Sequence, residues 1–331
     1  MRIKEWDLLR VIACLSILLL HSTTFYNLES GLSENSVVVH YIRILLCYAT
    51  PTFILLSIII LAAKYKDGIP QSFWSKRLQF ILLPYIFWAF IDALVIEYNY
   101  QNGLIWQTFY NNIVLGEFVG WFVLVILQLY LFFWLMIKFQ WPSFVVLPLC
   151  ALLYFLQHRI FDLPYPFFQE NMKYEKLYGT AWFVYFVIAF IIGANYEKIQ
   201  PLLKKYRIFT VIFTALSALY IWYGYKFGMV EIHSRRMDLI PFVVGITSMI
   251  LAYGQLIPSF KIIRIISKYA FIIYLIHWNI LSLTAKYFVS FFNNGYLAIL
   301  AMMISTVIVA ITISKCISYL PFGKWIVGKI R

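Results

Sequence analysis

Long apolar runs, separated by short polar segments, recur along the whole chain. A helix needs about 20 predominantly apolar residues to cross the hydrocarbon core of a bilayer, and most of the runs approach that length. The pattern predicts ten transmembrane helices, at residues 8–25, 41–63, 78–98, 119–138, 142–157, 179–195, 207–226, 239–257, 269–289 and 296–318. We therefore expect an all-α, polytopic membrane helix bundle. It forms one integral-membrane domain over residues 1–331, with no separate soluble domain.

Composition supports a membrane protein and excludes an ordinary soluble domain. The chain is 63% hydrophobic and 12% charged, whereas soluble domains carry about 25% charged residues. The first apolar run lacks the small-residue cleavage site of a secretory signal peptide, so we expect it to remain as the first helix.

The distribution of basic residues predicts the orientation. If the N-terminus is cytoplasmic, 19 of the 27 lysines and arginines fall on the inner side, as the positive-inside rule requires. We therefore expect both termini in the cytoplasm of a multi-pass plasma-membrane protein. The net charge of +13 is explained by this topology and by contact with anionic membrane lipid, with no nucleic-acid partner. Part of the charge can also bind an anionic cytoplasmic ligand.

The first apolar run carries ionisable residues where the membrane least favours them. Arg10 and His21 are eleven residues apart, which is three turns plus about 20°, so both lie on one helix face about 16 Å apart along the axis. Asp7 lies within about 40° of the same line. Ionisable groups inside a span usually face a bundle interior, a partner or a cavity. This polar stripe is the leading candidate site; Asp7 is either a helix N-cap or a partner of Arg10.

Two histidines are candidates for the chemistry. His21 is expected in the outer half of the membrane, where an imidazole can act as general base toward a hydroxyl acceptor. The alternative is a buried histidine bonded to a neighbouring helix. His277 is paired with Tyr274 at i, i+3 on the ninth predicted helix. That pair either shapes a substrate tunnel or bonds across the bundle.

Other charged residues have less specific contexts. Arg43 and Asp92 lie inside predicted helices and either contact each other or bind other polar groups. Basic residues at the inner ends of helices can bind phosphates or serve as topology anchors: Lys76, Arg77, Arg264 and Lys268. Arg235 and Arg236 break the positive-inside trend and are candidate contacts for an anionic acceptor.

The remaining features are weaker. The outer loops, residues 97–117 and 158–178, are rich in aromatic and amide side chains, which suit either sugar rings or an interfacial aromatic belt. The four cysteines and five histidines show no metal-ligand spacing, so we expect neither a disulfide framework nor a metal site.

Five motifs in order resemble the acyltransferase-3 family of integral-membrane acyltransferases over nearly the whole chain. The most specific is Arg10, ten residues and His21. The others are Pro51, Phe53 and Ser57; the basic pair Lys76-Arg77; Gly120-Trp121-Phe122; and Tyr274-Leu275-Ile276-His277. Two positions depart from the family pattern. Ile58 replaces a glycine, and Phe80 stands where a second arginine is expected after Arg77.

The resemblance implies transfer of an acyl group, acetyl or succinyl, from cytoplasmic acyl-CoA to a hydroxyl of an extracytoplasmic cell-surface polysaccharide or glycolipid. His21 would be the base, or would carry an acyl-histidine intermediate, and Arg10 would fix geometry or stabilise charge. Donor phosphates would bind Arg77, Lys76, Arg264 and Lys268. The tunnel or acceptor site would use Asp7, Arg43, Ser57, Trp121, Tyr274, His277, Arg235 and Arg236. No permanently bound cofactor is expected.

Two other functions are compatible with these features. One is a non-enzymatic exporter or flippase of a surface polysaccharide, with the polar stripe as translocation path. The other is a structural partner of glycan-synthesis machinery.

Overall fold

The computed structural model describes residues 3–31, 36–66, 68–161 and 163–329, without the side chains of residues 167–169. Helices make up 82% of the structure, and no strand occurs in the described ranges. The first eight α-helices are α1 (Lys4–Ser30), α2 (Val37–Leu46), α3 (Ala49–Lys64), α4 (Phe73–Arg77), α5 (Leu83–Tyr100), α6 (Ile105–Tyr110), α7 (Phe122–Lys138) and α8 (Ser143–Phe161). The next eight are α9 (Pro166–Asn171), α10 (Phe183–Ala194), α11 (Tyr196–Lys205), α12 (Arg207–Lys226), α13 (Leu239–Gly254), α14 (Lys261–Phe291), α15 (Gly295–Ser318) and α16 (Gly323–Ile326).

Among the described residues, eight helical segments are long and apolar enough to cross a membrane. They are Lys4–Ser30, Val37–Lys64, Phe73–Tyr100, Ile105–Lys138, Ser143–Phe161, Arg207–Lys226, Lys261–Phe291 and Gly295–Ser318. Gly179–Ala194 and Tyr196–Lys205 form a ninth span only if the bent pair counts as one, and α13 is shorter. The all-helical, multi-pass membrane class is confirmed. Each predicted span has a helical counterpart, but the count of ten and the cytoplasmic termini stay predictions.

Local sequence explains where several of these helices begin and end. Glu5 and Asp7 lie in the first turn of α1, where negative charge is stabilised by the positive end of the helix dipole. Gly31 ends α1 with a left-handed φ of 64°, which glycine adopts without the steric cost of a Cβ. The Asn294 side chain caps α15 by accepting bonds from the backbone N–H groups of Tyr296 and Leu297.

The chain divides into two compact units. The first holds the residues up to Phe53 and Glu197–Pro321, and the second holds Ile54–Tyr196 and Phe322–Lys329. In the first unit, α1 packs against α13, α14 and α15. The expectation of one domain over the whole chain stays a prediction.

The first unit has an apolar core between α1, α14 and α15. Phe25, Leu281, Ala285 and Met302 are buried together there. Van der Waals contact between these side chains stabilises the packing of the three helices.

The second unit encloses a buried polar contact. Asn112 donates one bond to the Asp92 carboxylate at 3.0 Å and another to the Ala89 carbonyl at 2.9 Å. Tyr85 Oη donates to the Asn112 backbone carbonyl at 2.6 Å. These bonds satisfy polar groups that would be costly inside a span. Of the two predicted alternatives for Asp92, the structure shows the second: Asp92 binds another polar group, the side chain of Asn112.

Gly254 allows the closest approach of α13 to α1. A Cβ built on Gly254 would lie 2.8 Å from Glu5 Cβ and 3.1 Å from Glu5 Cα, so the two helices would have to separate. We expect Gly254→Ala to lower the free energy of unfolding by about 1–3 kcal/mol, the usual cost of overpacking. Denaturant titration in detergent micelles measures this change.

Gly224→Ala is the matched control for Gly254→Ala. Gly224 also lies in a helix, but its Cβ would meet the flexible Met229 Sδ at 3.1 Å, which can move aside. A loss of stability as large for Gly224→Ala as for Gly254→Ala would contradict the proposed close packing.

Candidate functional site

Helix α14 runs alongside the polar face of α1 and pairs with it turn by turn. Arg10 of α1 bonds to Ser267, and the Cys14 Sγ lies 3.9 Å from the Ala270 carbonyl. Further along, the His21 ring contacts the His277 ring. The residue numbers increase together on both helices, so the two helices run parallel and in register along the stripe.

At the N-terminal end of the stripe, three side chains are bonded to one another. Arg10 Nη1 donates to Asp7 Oδ1 at 3.2 Å and to Ser267 Oγ at 2.9 Å. Ser267 Oγ in turn donates to Asp7 Oδ1 at 2.6 Å. Asp7 and Ser267 are buried. Arg10 is thereby held in one orientation by two bonds from the same nitrogen.

This geometry decides between the two interpretations of Asp7. The N-cap of α1 is Ile3, and Asp7 lies within the first turn of the helix. The N-cap interpretation is therefore wrong, and the ion pair with Arg10 is confirmed.

Ser267 is a site residue that the sequence did not reveal. Its hydroxyl links helix α14 to the Asp7–Arg10 pair. Ser267 and Arg10 are 257 positions apart in the sequence. A serine at the start of an apolar helix is common, so only the pairing of α1 with α14 shows its importance.

We expect Ser267→Ala to lower the free energy of unfolding by about 1–3 kcal/mol, because it leaves a buried carboxylate and a guanidinium short of one partner. Ser267→Thr keeps the hydroxyl and should retain most of the stability. Ser282→Ala is the matched control on the same helix, since Ser282 Oγ bonds only its own helix at the Asn279 carbonyl. Equal losses for Ser267→Ala and Ser282→Ala, in denaturant titration, would refute the bridging role.

At the C-terminal end of the stripe, aromatic rings enclose His21. The His277 ring stacks on His21 with centroids 5.2 Å apart, and the Trp278 ring meets it edge-on at 5.1 Å. Phe25 packs edge-on against Trp278 at 4.7 Å. These rings fix the imidazole of His21 through apolar contact. Trp278 is a second site residue that sequence reasoning missed.

His21 makes no hydrogen bond with the residues that the structure describes, and it is partly exposed. It is therefore not the histidine bonded to a neighbouring helix that was the alternative interpretation. A ring nitrogen without a competing bond can accept a proton from a hydroxyl, which general-base chemistry requires.

His277 is completely buried. Its Nδ1 lies 2.6 Å from the Tyr274 carbonyl, so Nδ1 carries the proton and donates it to that carbonyl. The lone pair then resides on Nε2, which is buried without a hydrogen-bond partner in the described part of the chain. The bond of His277 stays within its own helix, and the ring serves as one wall of the His21 enclosure. The Tyr274 ring lies 6.0 Å from His277 and packs on the cluster formed by Ala13, Ile17 and Ala49.

Arg43 lies one helical turn beyond His21. Its Nη2 donates to Thr24 Oγ1 at 3.0 Å, and Thr24 is three residues after His21 on α1, so both share a face. The structure thus adds Arg43 to the stripe as a third charged side chain, after Asp7 and Arg10, at the end that holds His21.

The predicted donor-binding residues are at the surface. Lys76, Arg264 and Lys268 are exposed. The Arg77 guanidinium lies 3.7 Å from the Phe73 ring centroid and donates to the Phe73 carbonyl at 3.2 Å. Burial raises the pKa of the neighbouring Tyr65, but the hydrogen bond and positive charge of Arg77 outweigh burial and hold that pKa below its usual value. The positive charge of Arg77 at this surface favours the binding of anions.

Arg235 and Arg236, the predicted contacts for an anionic acceptor, differ in their surroundings. The buried Arg236 forms a two-bond ion pair with Asp238 at 2.9 and 2.6 Å and also donates to the carbonyls of Met229 and Glu231. Those bonds favour a structural role for Arg236, and acceptor binding stays a prediction. The Arg235 side chain is half-buried beside it.

Trp121 and Ser57 belong to the second unit. The Trp121 ring lies 6.0 Å from the Trp182 ring, and the Lys176 ammonium lies 5.2 Å above Trp121. Burial lowers the pKa of Lys176. Ser57 is half-buried on α3. In the loop 158–178, Asp162 and the side chains of Phe167 and Gln169 lie outside the described residues.

No group of three or more histidine, cysteine, aspartate or glutamate side chains in the described ranges could hold a metal ion. The four cysteines are free thiols.

The chain is an all-helical, multi-pass membrane protein with an arginine and a histidine on one face of its first helix. The chain belongs to the acyltransferase-3 family: the family model, an acyltransferase domain, matches residues 3–315. It is accordingly a membrane acyltransferase.

Named relatives cover most of the chain. "Putative membrane-bound acyltransferase YfiQ" of Bacillus subtilis (strain 168) is 32% identical over 295 residues, which is 84% of this chain and 80% of that protein. "Probable poly-beta-1,6-N-acetyl-D-glucosamine export protein" of Staphylococcus aureus (strain MRSA252) is 25% identical over 97% of this chain and 94% of its own length. The protein of the same name from Staphylococcus epidermidis is 26% identical over 97% and 93%. No solved structure matches the chain.

Proposed function

We propose that this acyltransferase moves an acetyl or succinyl group from cytoplasmic acyl-CoA to a hydroxyl of an extracytoplasmic cell-surface polysaccharide or glycolipid, in the plasma membrane. The observation that carries the proposal is the stripe on α1. It holds Arg10 by two bonds at one end and leaves His21 without a competing bond at the other.

The proposed reaction uses His21 as general base. His21 accepts the proton of the acceptor hydroxyl, whose oxygen attacks the thioester carbonyl carbon. The C–O bond forms as the C–S bond breaks, and the departing CoA thiolate takes the proton back from His21. In the alternative, the imidazole itself takes the acyl group and passes it to the hydroxyl. In both routes Arg10 fixes the geometry of the donor or stabilises charge on the donor at its own end of the stripe.

The surface arginines and lysines supply the donor end of the proposal. CoA carries phosphates, which form charge-assisted hydrogen bonds with guanidinium and ammonium groups. Arg77 and Lys76 in the second unit, and Arg264 and Lys268 on α14, are accessible for such bonds. Phe80 stands where the family pattern has a second arginine. The proposal therefore relies more on Arg264 and Lys268 for binding the phosphates.

Mass spectrometry of the surface polysaccharide tests the proposed activity. Cells with the wild-type protein should carry a mass increase of one acetyl or one succinyl group on a fraction of sugar residues. Cells that lack the protein, or that carry His21→Ala, should lose it. Identical polysaccharide masses in all three strains would refute acyl transfer to this glycan.

A second candidate function is export of a polysaccharide without acyl transfer. It is favoured by the names of the two staphylococcal relatives, which cover nearly the whole chain. Secretion of polymer that persists at wild-type levels in His21→Ala cells, together with unchanged polymer mass, would favour export. Secretion that persists while the acyl mass disappears would favour the transferase.

A further inference from the structure

Helix α11 is short and amphipathic, and it begins the Glu197–Pro321 part of the first unit. Its apolar residues recur at Ile199, Leu202 and Leu203, and the pattern continues to Tyr206 after its end. Three- and four-residue spacing places these side chains on one helix face. A helix with such a face and a basic opposite face typically lies in the interface between headgroups and acyl chains.

The apolar face of α11 borders a cavity of about 280 Å³. Its lining is almost entirely apolar and comes from α11, the start of α12 and one residue of α13: Ile199, Leu202, Leu203, Tyr206, Phe209 and Phe213, with Thr210 and Ser248. Leu202, Tyr206, Phe209 and Phe213 are exposed. An open apolar cavity of this kind suits a hydrocarbon chain.

Three basic residues next to the lining residues along the chain, Lys204, Lys205 and Arg207, form what we call the basic rim. Lys204 and Lys205 end α11 and are exposed, and the Lys205 ammonium lies 5.1 Å above the ring of Tyr206, a lining residue. Arg207 follows Tyr206, and its Nη1 donates to the Lys204 backbone carbonyl at 3.3 Å. The acid of α11, Glu197, is at the opposite end of the helix.

The position of α11 in its unit is fixed by Gln200. The Gln200 side chain donates to Glu5 of α1, and its backbone carbonyl accepts a bond from Gln255 Nε2 at 2.9 Å. These bonds hold α11 in place, so the cavity and the basic rim beside it are a fixed part of the first unit.

We propose that this cavity binds an anionic phospholipid, with an acyl chain between α11 and α12 and the headgroup phosphate on Lys204, Lys205 and Arg207. Anionic headgroups are attracted by clustered lysine and arginine next to a membrane helix. The apolar lining supplies the chain site, and the basic rim supplies selectivity over zwitterionic lipid.

The test uses the full-length protein purified in detergent and a phosphatidylglycerol whose acyl chain carries a photoreactive diazirine. Crosslinked peptides should map to residues 199–213, and unlabelled phosphatidylglycerol should compete about tenfold better than phosphatidylcholine. The triple variant Lys204→Gln, Lys205→Gln, Arg207→Gln should weaken binding by about a hundredfold, since each basic residue near an anionic surface contributes roughly fivefold. The control Lys138→Gln, Lys315→Gln, Lys324→Gln removes three exposed charges elsewhere and should bind as the wild type does.

A second variant tests the chain site separately. Ser248→Phe fills the floor of the cavity and should reduce crosslinking while leaving the basic rim intact. Equal competition by phosphatidylcholine, competition by inorganic phosphate as effective as that by the lipid, or equal binding by the two triple variants would each overturn the proposal.

Discussion

His21→Ala should reduce acyl transfer by about a thousandfold, the size of effect expected for a general acid–base group. The protein should still insert and fold, because His21 makes no hydrogen bond with the described residues and contributes only ring contacts with His277 and Trp278. Acyl-CoA turnover by purified protein measures the rate, and size-exclusion chromatography in detergent checks the fold.

His40→Ala is the matched control for this variant. His40 belongs to the same unit, its Nε2 lies 2.7 Å from the Val230 carbonyl, and its ring contacts Tyr225, so its contacts are structural and do not involve His21. Full activity in His21→Ala would remove His21 from the reaction, and an equal loss in His40→Ala would show that the effect is one of folding.

Arg10→Ala should reduce acyl transfer by about a hundredfold, and it should also destabilise the protein. The substitution removes the donor to Asp7 and Ser267 and takes away the ion pair between Arg10 and the carboxylate of Asp7, whose side chain is 10% exposed. Removing one member of a buried ion pair is costly. Arg10→Lys keeps the charge but replaces the planar guanidinium by a compact ammonium on a flexible stem, so it should recover stability more than activity.

A double-mutant cycle with Asp7→Asn separates the two effects of Arg10. Asp7→Asn removes the carboxylate charge that Arg10 pairs with, so Arg10→Ala should cost less stability in that background, with a coupling energy of about 1–2 kcal/mol. The loss of activity should remain, because it comes from the guanidinium itself. Additive stability effects would mean that the ion pair contributes nothing. Activity restored in the double variant would mean that Arg10 acts only by neutralising Asp7.

The helical membrane class was readable from the sequence because it follows from the length and hydrophobicity of each run alone. The register of Arg10 and His21 was readable because both are on one continuous helix. Spans were harder to predict where the chain bends, as at α10 and α11, or where a helix is short, as in α13. Hydrophobicity averaged over a window does not register a bend.

The partners of the stripe could not be read from the sequence. Ser267 and Trp278 reach α1 through packing between helices more than 250 residues apart in the chain, and no local pattern encodes that pairing. Arg236 shows the converse. As a charged residue on the predicted outer side it resembles a ligand contact, and only the structure shows its bonds to Asp238 and two carbonyls.

The central claim is that the α1 stripe carries acyl transfer across the membrane. The most direct test is the purified protein in liposomes, with isotope-labelled acetyl-CoA or succinyl-CoA on the side of the protein's basic loops and a polysaccharide acceptor on the other side. We predict that the labelled acyl group appears on the acceptor with the wild-type protein and with His40→Ala, and is absent with His21→Ala. Equal labelling by wild type and His21→Ala, or no labelling by a wild-type protein that binds acyl-CoA, would contradict the account.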